Sequence, residues 1–300
     1  MSASTQPTGK GAAPVTAWRP AFLRSLPLRA TVLVICALWT IPTLGLLVTS
    51  VRNPEQISST GWWTALLNPL APDQWTLSNY QQVISSGGMG SAFLNSLIVT
   101  IPATVIPITI AAFAAYAFAW IPFRGRGILF TIVVGLLVVP LQMSLIPILK
   151  LYSGASLYGT FVGIWLAHTG FGLPLAIFLL YNFISQLPRD LFESASIDGA
   201  SHLQMFMRIV LPLSVPALGA FAIFQFLWVW NDLLVALVIL GPATDVRVMP
   251  TALYALLGSR GGQWQLLTAG AFITMLLPML VFLVLQRAFV RGILAGSVKS

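Results

Sequence analysis

"FLNSLIVTIPATVIPITIAAFAAYAFAWI", from Phe93 to Ile121, carries no charged side chain. A bilayer core about 30 Å thick is crossed by roughly 20 apolar residues rising 1.5 Å each in a helix, so this stretch is long enough to span one. Pro102 and Pro107 lie inside it. A proline within a helix leaves the carbonyl four residues back without its amide partner. In a spanning helix this is tolerated where a neighbouring helix or water supplies the missing donor. The reading is a kinked span with close neighbours.

Working outward, five further segments qualify, at about 28–50, 128–149, 160–184, 209–231 (with an extension to 240 open) and 266–286. The 300-residue chain is 57% hydrophobic and only 7% charged, with mean hydropathy +0.89. Soluble domains carry about 25% charged residues. The fold class expected is therefore all-α: a polytopic membrane protein with six transmembrane helices. A net charge of +8 then bears on orientation, not on nucleic-acid binding. All of the 15 Lys and Arg except Arg52, Lys150, Arg247 and Arg260 fall on one side of this topology. The positive-inside tendency makes that side cytoplasmic and places both termini there. The organisation expected is a cytoplasmic tail at 1–27, a six-span domain at 28–290 and a cytoplasmic tail at 291–300. The start lacks the apolar core of a cleaved signal. Outer loops are expected at 51–92 and 241–265, where Trp62, Trp63, Trp75 and Trp264 suit interfacial anchors or contact surfaces.

The chemistry-bearing residues are few. No phosphate-binding G-x-x-x-x-G-K-[ST] loop, G-x-S-x-G or H-E-x-x-H occurs. His168 and His202 are the only histidines and Cys36 the only cysteine, so no intrachain disulfide, histidine cluster or thiolate metal site can form. Catalysis and a bound cofactor are not expected. An ion-coupled carrier would place ionisable groups deep in its spans. Asp232 is the only acid near one, and lies about 35 Å along a helix begun at Ile209, near the outer interface. Asn231 and Asp232 read either as a polar helix break or, with Gln225 and Trp228, as pore lining or an outer gate. His168 reads as a satisfied interior polar group.

Between the fourth and fifth spans runs "SASIDGASHLQMFMRIVLP", Ser194 to Pro212. Pro188 suits a first helical turn. Leu187, Leu191 and Ala195 then recur at i+4 with Phe192 beside them, while Asp190 and Glu193 take another face. Arg189 is spaced to pair with Glu193. Gly199 permits a turn, and Ser201 with Gln204 fits a capping box opening a second helix that carries Leu203, Phe206, Met207 and Val210. This predicts a helix–turn–helix on the inner face of the membrane. Helices this short are marginal alone in water, so their apolar stripe needs a cover: the rest of the chain, the bilayer or a partner.

Written out, Glu193-x-Ala195-x3-Gly199-x9-Ile209-x-Leu211-Pro212 resembles the EAA loop of bacterial ABC importer permeases, with Ser194 in place of the middle alanine. Arg52-Asn53-Pro54, "NSLIVT" at Asn95–Thr100, "WNDLL" at Trp230–Leu234 and "LLTAGAFIT" at Leu266–Thr274 resemble the maltose-type, carbohydrate branch. The resemblance implies that the loop at about 186–211 is a coupling element. Its first helix would dock in a cleft of a cytoplasmic ATPase, Glu193 accepting hydrogen bonds, Leu191, Phe192 and Ala195 packing, and Gly199 turning the chain. Asp198, Ile209, Leu211 and Pro212 complete the coupling set. Also implied are a second homologous permease, two ABC ATPases holding ATP and Mg, and an extracytoplasmic solute-binding protein. The cargo implied is a di- or oligosaccharide, with no nucleic acid involved. Gly258, Ser259, Arg260, Gly261, Gly262, Gln263 and Trp264 resemble the loop this branch extends toward the binding protein, or form an ordinary flexible loop. A permease for a sugar alcohol or glycerol phosphate stands as the alternative within the family, and an ion-coupled secondary carrier as the alternative outside it.

Overall fold

A computed structural model describes residues 21–85, 88–242, 245–259 and 263–297. Among them the structure is helical, with one isolated bridge between Arg52 and Trp75 and no strand. The helices are α1 Ala21–Ser50, α2 Pro54–Ser59, α3 Thr64–Leu67, α4 Ser78–Ser85, α5 Met89–Trp120, α6 Arg126–Gly135, α7 Leu141–Gly154 and α8 Phe161–Ile184. They continue with α9 Arg189–Ile197, α10 His202–Asn231, α11 Leu234–Ile239, α12 Met249–Ser259 and α13 Trp264–Ser297. The chain divides into a unit of residues 1–46, described from Ala21 as the first part of α1, and a unit from Leu47 to Ser300. The expected N-terminal tail is helical from Ala21, and its first 20 residues lie outside the described ones. The expected C-terminal tail is helical to Ser297.

Among the described residues five helices are long and apolar enough to cross a membrane, and the pair α6–α7, bent by 102°, makes a sixth when counted as one span. The single straight helix expected at 128–149 is thus corrected. A 3-10 turn follows α6 at Leu136–Val138, and Val139 is extended at φ −72°, ψ 117°. Pro140 is the cause: its ring disfavours helical backbone at the residue before it and it has no N–H to continue the ladder. The fifth span does not extend to 240, because α10 stops at Asn231 and Asp232 is extended. The outer segment at 241–265 is not simply a loop, since it contains α12, with Met249, Ala252 and Leu256 buried.

α5 packs most extensively on α8. Ala103, Ala111 and Ala115 of α5 and Ala176 of α8 are fully buried, small side chains that let backbones approach where lipid offers no hydrophobic drive. Three spanning prolines have their freed carbonyls answered by side chains from other helices. Trp165 Nε1 donates to the Ile98 carbonyl, four residues before Pro102, at 2.9 Å. Gln225 Nε2 donates to Ala103, four before Pro107, at 3.2 Å. Trp230 Nε1 donates to Thr274, four before Pro278, at 3.0 Å. Polar side chains in the spans thus repair the backbone the prolines open.

The outer end is organised by Arg52 and Asn95. Arg52 is buried, its guanidinium donating to the Gly61 carbonyl at 2.9 Å, the Thr60 hydroxyl at 2.6 Å and the Thr64 hydroxyl at 3.0 Å. Burial lowers its pKa from the ordinary arginine value; an arginine stays charged even so. Asn53 accepts from Glu55 N–H and Pro54 opens α2. Asn95 Nδ2 donates to the carbonyls of Asp245 and Arg247, at 2.8 and 2.9 Å, and Ser96 accepts from Met249 N–H at 2.8 Å. These bonds tie α5 to the approach of α12.

Candidate functional site: the α9 elbow

α9 begins after Pro188, which stands just before the first turn rather than within it. Its end is a left-handed glycine stop. Gly199 has φ +75°, its N–H donates to the Ser196 carbonyl at 3.0 Å, and Ala200 N–H donates to Ala195 at 2.9 Å. This pair of bonds satisfies carbonyls that a helix end leaves open. Ser201 then caps α10: its Oγ accepts from Gln204 N–H at 3.3 Å and Gln204 Oε1 accepts from Ser201 N–H at 2.8 Å. Gly199 and the capping box perform as their residue types require.

The second limb differs from the expected separate helix. α10 runs without a break from His202 to Asn231 and is itself the fifth span. It passes through a π-helical stretch at Phe206–Val210, where Leu211 N–H donates five residues back to Phe206. Pro212 follows at once and has no N–H to continue the regular ladder, and a widened turn accommodates it. Ile209 and Leu211 pack partly buried against a cluster that includes Tyr116, Met205, Phe206 and Val210, and Pro212 is exposed. Motion of the elbow is therefore directly motion of the end of a span.

The side chains of α9 divide into two sets. Phe192 faces inward, 7% exposed, stacked on Trp120 with ring centroids 3.7 Å apart and planes at 18°. Trp120 is fixed by its indole N–H on the Ile184 carbonyl at 3.1 Å. Phe192 thus joins Tyr116, Met205, Phe206 and Val210 in the chain's own core, which corrects the expectation that it packs on another subunit. Its burial contributes roughly 1.5–3 kcal/mol to holding α9 in place. Ala195 is half-buried against the same cluster. Leu191, at 41%, and Ile197, at 86%, face outward, and Glu193, Asp198 and Gly199 are exposed. Neither Arg189 nor Glu193 has an ion-pair partner among the described residues, so the expected pair is not formed. Beside α9 a cavity of about 460 Å³ is lined by Arg126, Arg189, Glu193 and His202, with Tyr116 and Trp120 on its wall. The Tyr116 hydroxyl lies 3.0 Å from His202 Nδ1.

The residues singled out as pore or gate, Gln225, Trp228, Asn231 and Asp232, each have different surroundings and form no single hydrogen-bonded cluster. Gln225 is buried, serves the Ala103 carbonyl and packs so tightly on Gly172 that a Cβ there would meet it at 2.7 Å. Asn231 bonds its own helix at Leu227. Asp232 Oδ1 accepts from the N–H groups of Leu234 and Val235, at 3.0 and 3.2 Å, opening α11. It is a polar helix break, with Oδ2 3.7 Å from His168 Nε2. Trp228 stands apart: it is half-buried and its indole nitrogen has no acceptor among the described residues. The pairing of span-four and span-five side chains with particular prolines was not foreseen, although a proline's position names the carbonyl that needs a donor. In the outer loop, Gly258 and Ser259 close α12, and Arg260, Gly261 and Gly262 lie outside the described residues. Gln263 and Trp264 are exposed.

Comparison with known proteins agrees with this geometry. The family described as binding-protein-dependent transport system inner membrane component matches residues 93–295. The osmoprotective compounds uptake permease protein GgtD of Synechocystis sp. is 59% identical, over 93% of this chain and 94% of its own. The alpha-glucoside transport system permease protein AglG of Rhizobium meliloti is 46% identical, over 90% and 96%. The fold resembles that of a chain in the crystal structure of a bacterial ABC transporter that imports alginate, with TM-score 0.73 at 20% identity, covering 91% of this chain and 100% of that one. A non-catalytic, multi-pass subunit with an elbow on the end of a span, the chain belongs to the family of binding-protein-dependent transport system inner membrane components, the permeases of ABC importers.

Proposed function

We propose that this chain is one of two homologous permease subunits of an ATP-driven importer for small neutral glucosides. The α9 elbow supports this reading most: it is anchored from within by Phe192 and presents Leu191, Glu193 and Ile197 outward with no cover among the described residues. Two ABC ATPases, holding ATP and Mg, would grip that face on the cytoplasmic side. Closure of the ATPases would rock the spans as rigid bodies and alternate access. Glu193 would accept charge-assisted hydrogen bonds, the stronger class, and Leu191 and Ile197 would bury apolar surface. The positive-inside tendency supports an elbow and termini on the cytoplasmic side, with residues 1–27 and 291–300 as flanks of a six-span domain in this reading.

The relatives support this choice of cargo. Alpha-glucosides and osmoprotective compounds are the cargo named for two of them, and neutral glucosides such as trehalose and sucrose satisfy both descriptions. This favours a di- or oligosaccharide over glycerol phosphate, and family membership sets aside an ion-coupled carrier. The segment Gly258–Trp264 faces an extracytoplasmic binding protein in this reading.

The test is reconstitution with the second permease, the ATPases and the binding protein. Uptake of a labelled trehalose, sucrose and maltose panel should require ATP and the binding protein, and Glu193→Lys should abolish it while the chain still inserts. Uptake driven by an ion gradient without ATP contradicts the proposal. Shortening Gly258–Trp264 should weaken stimulation of ATP hydrolysis by loaded binding protein; unchanged stimulation makes that segment a plain connection.

A further inference from the structure

A cavity of about 440 Å³ opens where the third span breaks, between the 3-10 turn after α6, α7, α8 and the outer half of α10. Its wall includes Val139, Ser144, Tyr152, Phe171 and Trp228. Arg126 starts α6, so the break at Leu136 lies about 15 Å into the membrane from the arginine end. Non-helical backbone at that depth is tolerated where it is buried in protein or lines a water-filled space, and Val139 is exposed.

The polar groups of the cavity point the same way. Trp228 Nε1 and the Tyr152 hydroxyl have no hydrogen-bond partner among the described residues, although Trp165 and Trp230 nearby both have one. A lipid tail or an apolar helix filling the space would leave these donors unpaired, at a cost of about 1–3 kcal/mol each. The Trp228 ring is held in place, with the buried His168 edge-on to it at 5.3 Å and 89°. His168 in turn lies against Asp232, which opens α11. The cavity therefore combines a fixed aromatic face, free donors and no charged wall. Ligand sites of about 300–1,000 Å³ are commonly built this way, apolar with a few directed polar groups. A transported solute also has to leave, which suits stacking without ionic contacts.

We propose that this cavity is a solute-contact site of the subunit, with Trp228 and Phe171 offering ring faces to the C–H face of a neutral sugar and Trp228 Nε1 and the Tyr152 hydroxyl donating to its hydroxyl groups. This rests on the glucoside-importer reading and adds that this permease itself touches the cargo during passage.

The test uses the assembled transporter in proteoliposomes, with Ser144→Cys introduced on a Cys36→Ser background so that this chain carries one thiol, its labelling read on the separated chain. A membrane-impermeant methanethiosulfonate should label it in the resting or the vanadate-trapped state. Transported disaccharide, added with the binding protein, should slow labelling at least threefold. In parallel, Trp228→Ala should raise the apparent KM for uptake about tenfold, the scale of a lost ring contact, and Trp228→Phe should recover most of that. No labelling in either state makes the cavity a lipid or subunit contact and overturns the proposal. Labelling that sugar does not slow, with KM unmoved in Trp228→Ala, overturns it while leaving the importer reading intact. If wild-type complex takes up none of the panel, the substrate class fails and this site falls with it.

Discussion

Phe192 lies stacked on Trp120 at 3.7 Å, so α9 is bolted to the end of the second span by one aromatic pair. Trp120 is held to Ile184 at the end of α8, so force on α9 reaches α5, α8 and α10 together. The exposed face of the elbow can exchange load with a partner because the buried face does not yield. In the proposed coupling, position and docking fall to different residues of the same nine-residue helix.

Phe192→Ala should therefore separate ATP hydrolysis from transport. Truncating a buried phenylalanine costs about 3–5 kcal/mol, here spent locally on the seating of α9. Uptake should fall at least tenfold while ATP hydrolysis by the assembled complex persists, and Phe192→Leu should recover part of the uptake. Parallel assays of uptake and phosphate release check this. Equal loss of both would mean that Phe192 serves assembly alone.

Trp165→Phe should destabilise the chain by about 1–3 kcal/mol by leaving the Ile98 carbonyl unpaired. Pro102→Ala restores the main-chain N–H that would otherwise serve that carbonyl, so the double variant should recover most of the loss. Thermal unfolding of all four combinations in detergent gives the coupling directly. Additive effects would show that the indole bond does not compensate the proline.

Gly199→Ala should cost about 1–2 kcal/mol, because the left-handed conformation crowds a Cβ, and Gly199→Asn should cost less. Gly199→Pro removes the N–H that donates to Ser196 and should abolish coupling with insertion intact. Uptake and membrane yield, measured together, distinguish these outcomes.

Local devices were legible in the residues. The Gly199 turn and the Ser201–Gln204 box involve neighbours within a few positions, so residue type and spacing specify them. The need for donors at Pro102 and Pro107 was legible too, because proline always strips the same carbonyl. Which side chain meets that need was not, since Trp165 and Gln225 come from other helices. The inward turn of Phe192 was hidden for the same reason: an i+4 stripe shows which residues share a face and leaves open what covers it. The break at Val139–Pro140 sat inside an apolar run whose hydropathy is that of an unbroken span.

The most direct measurement places a photo-crosslinking amino acid at Ile197, the most exposed apolar position of α9 at 86%, in the assembled, transport-competent complex. The account predicts one dominant adduct, with an ABC ATPase subunit, whose yield changes between ATP-bound and nucleotide-free states. Adducts to lipid alone, or to the extracytoplasmic binding protein, would contradict it.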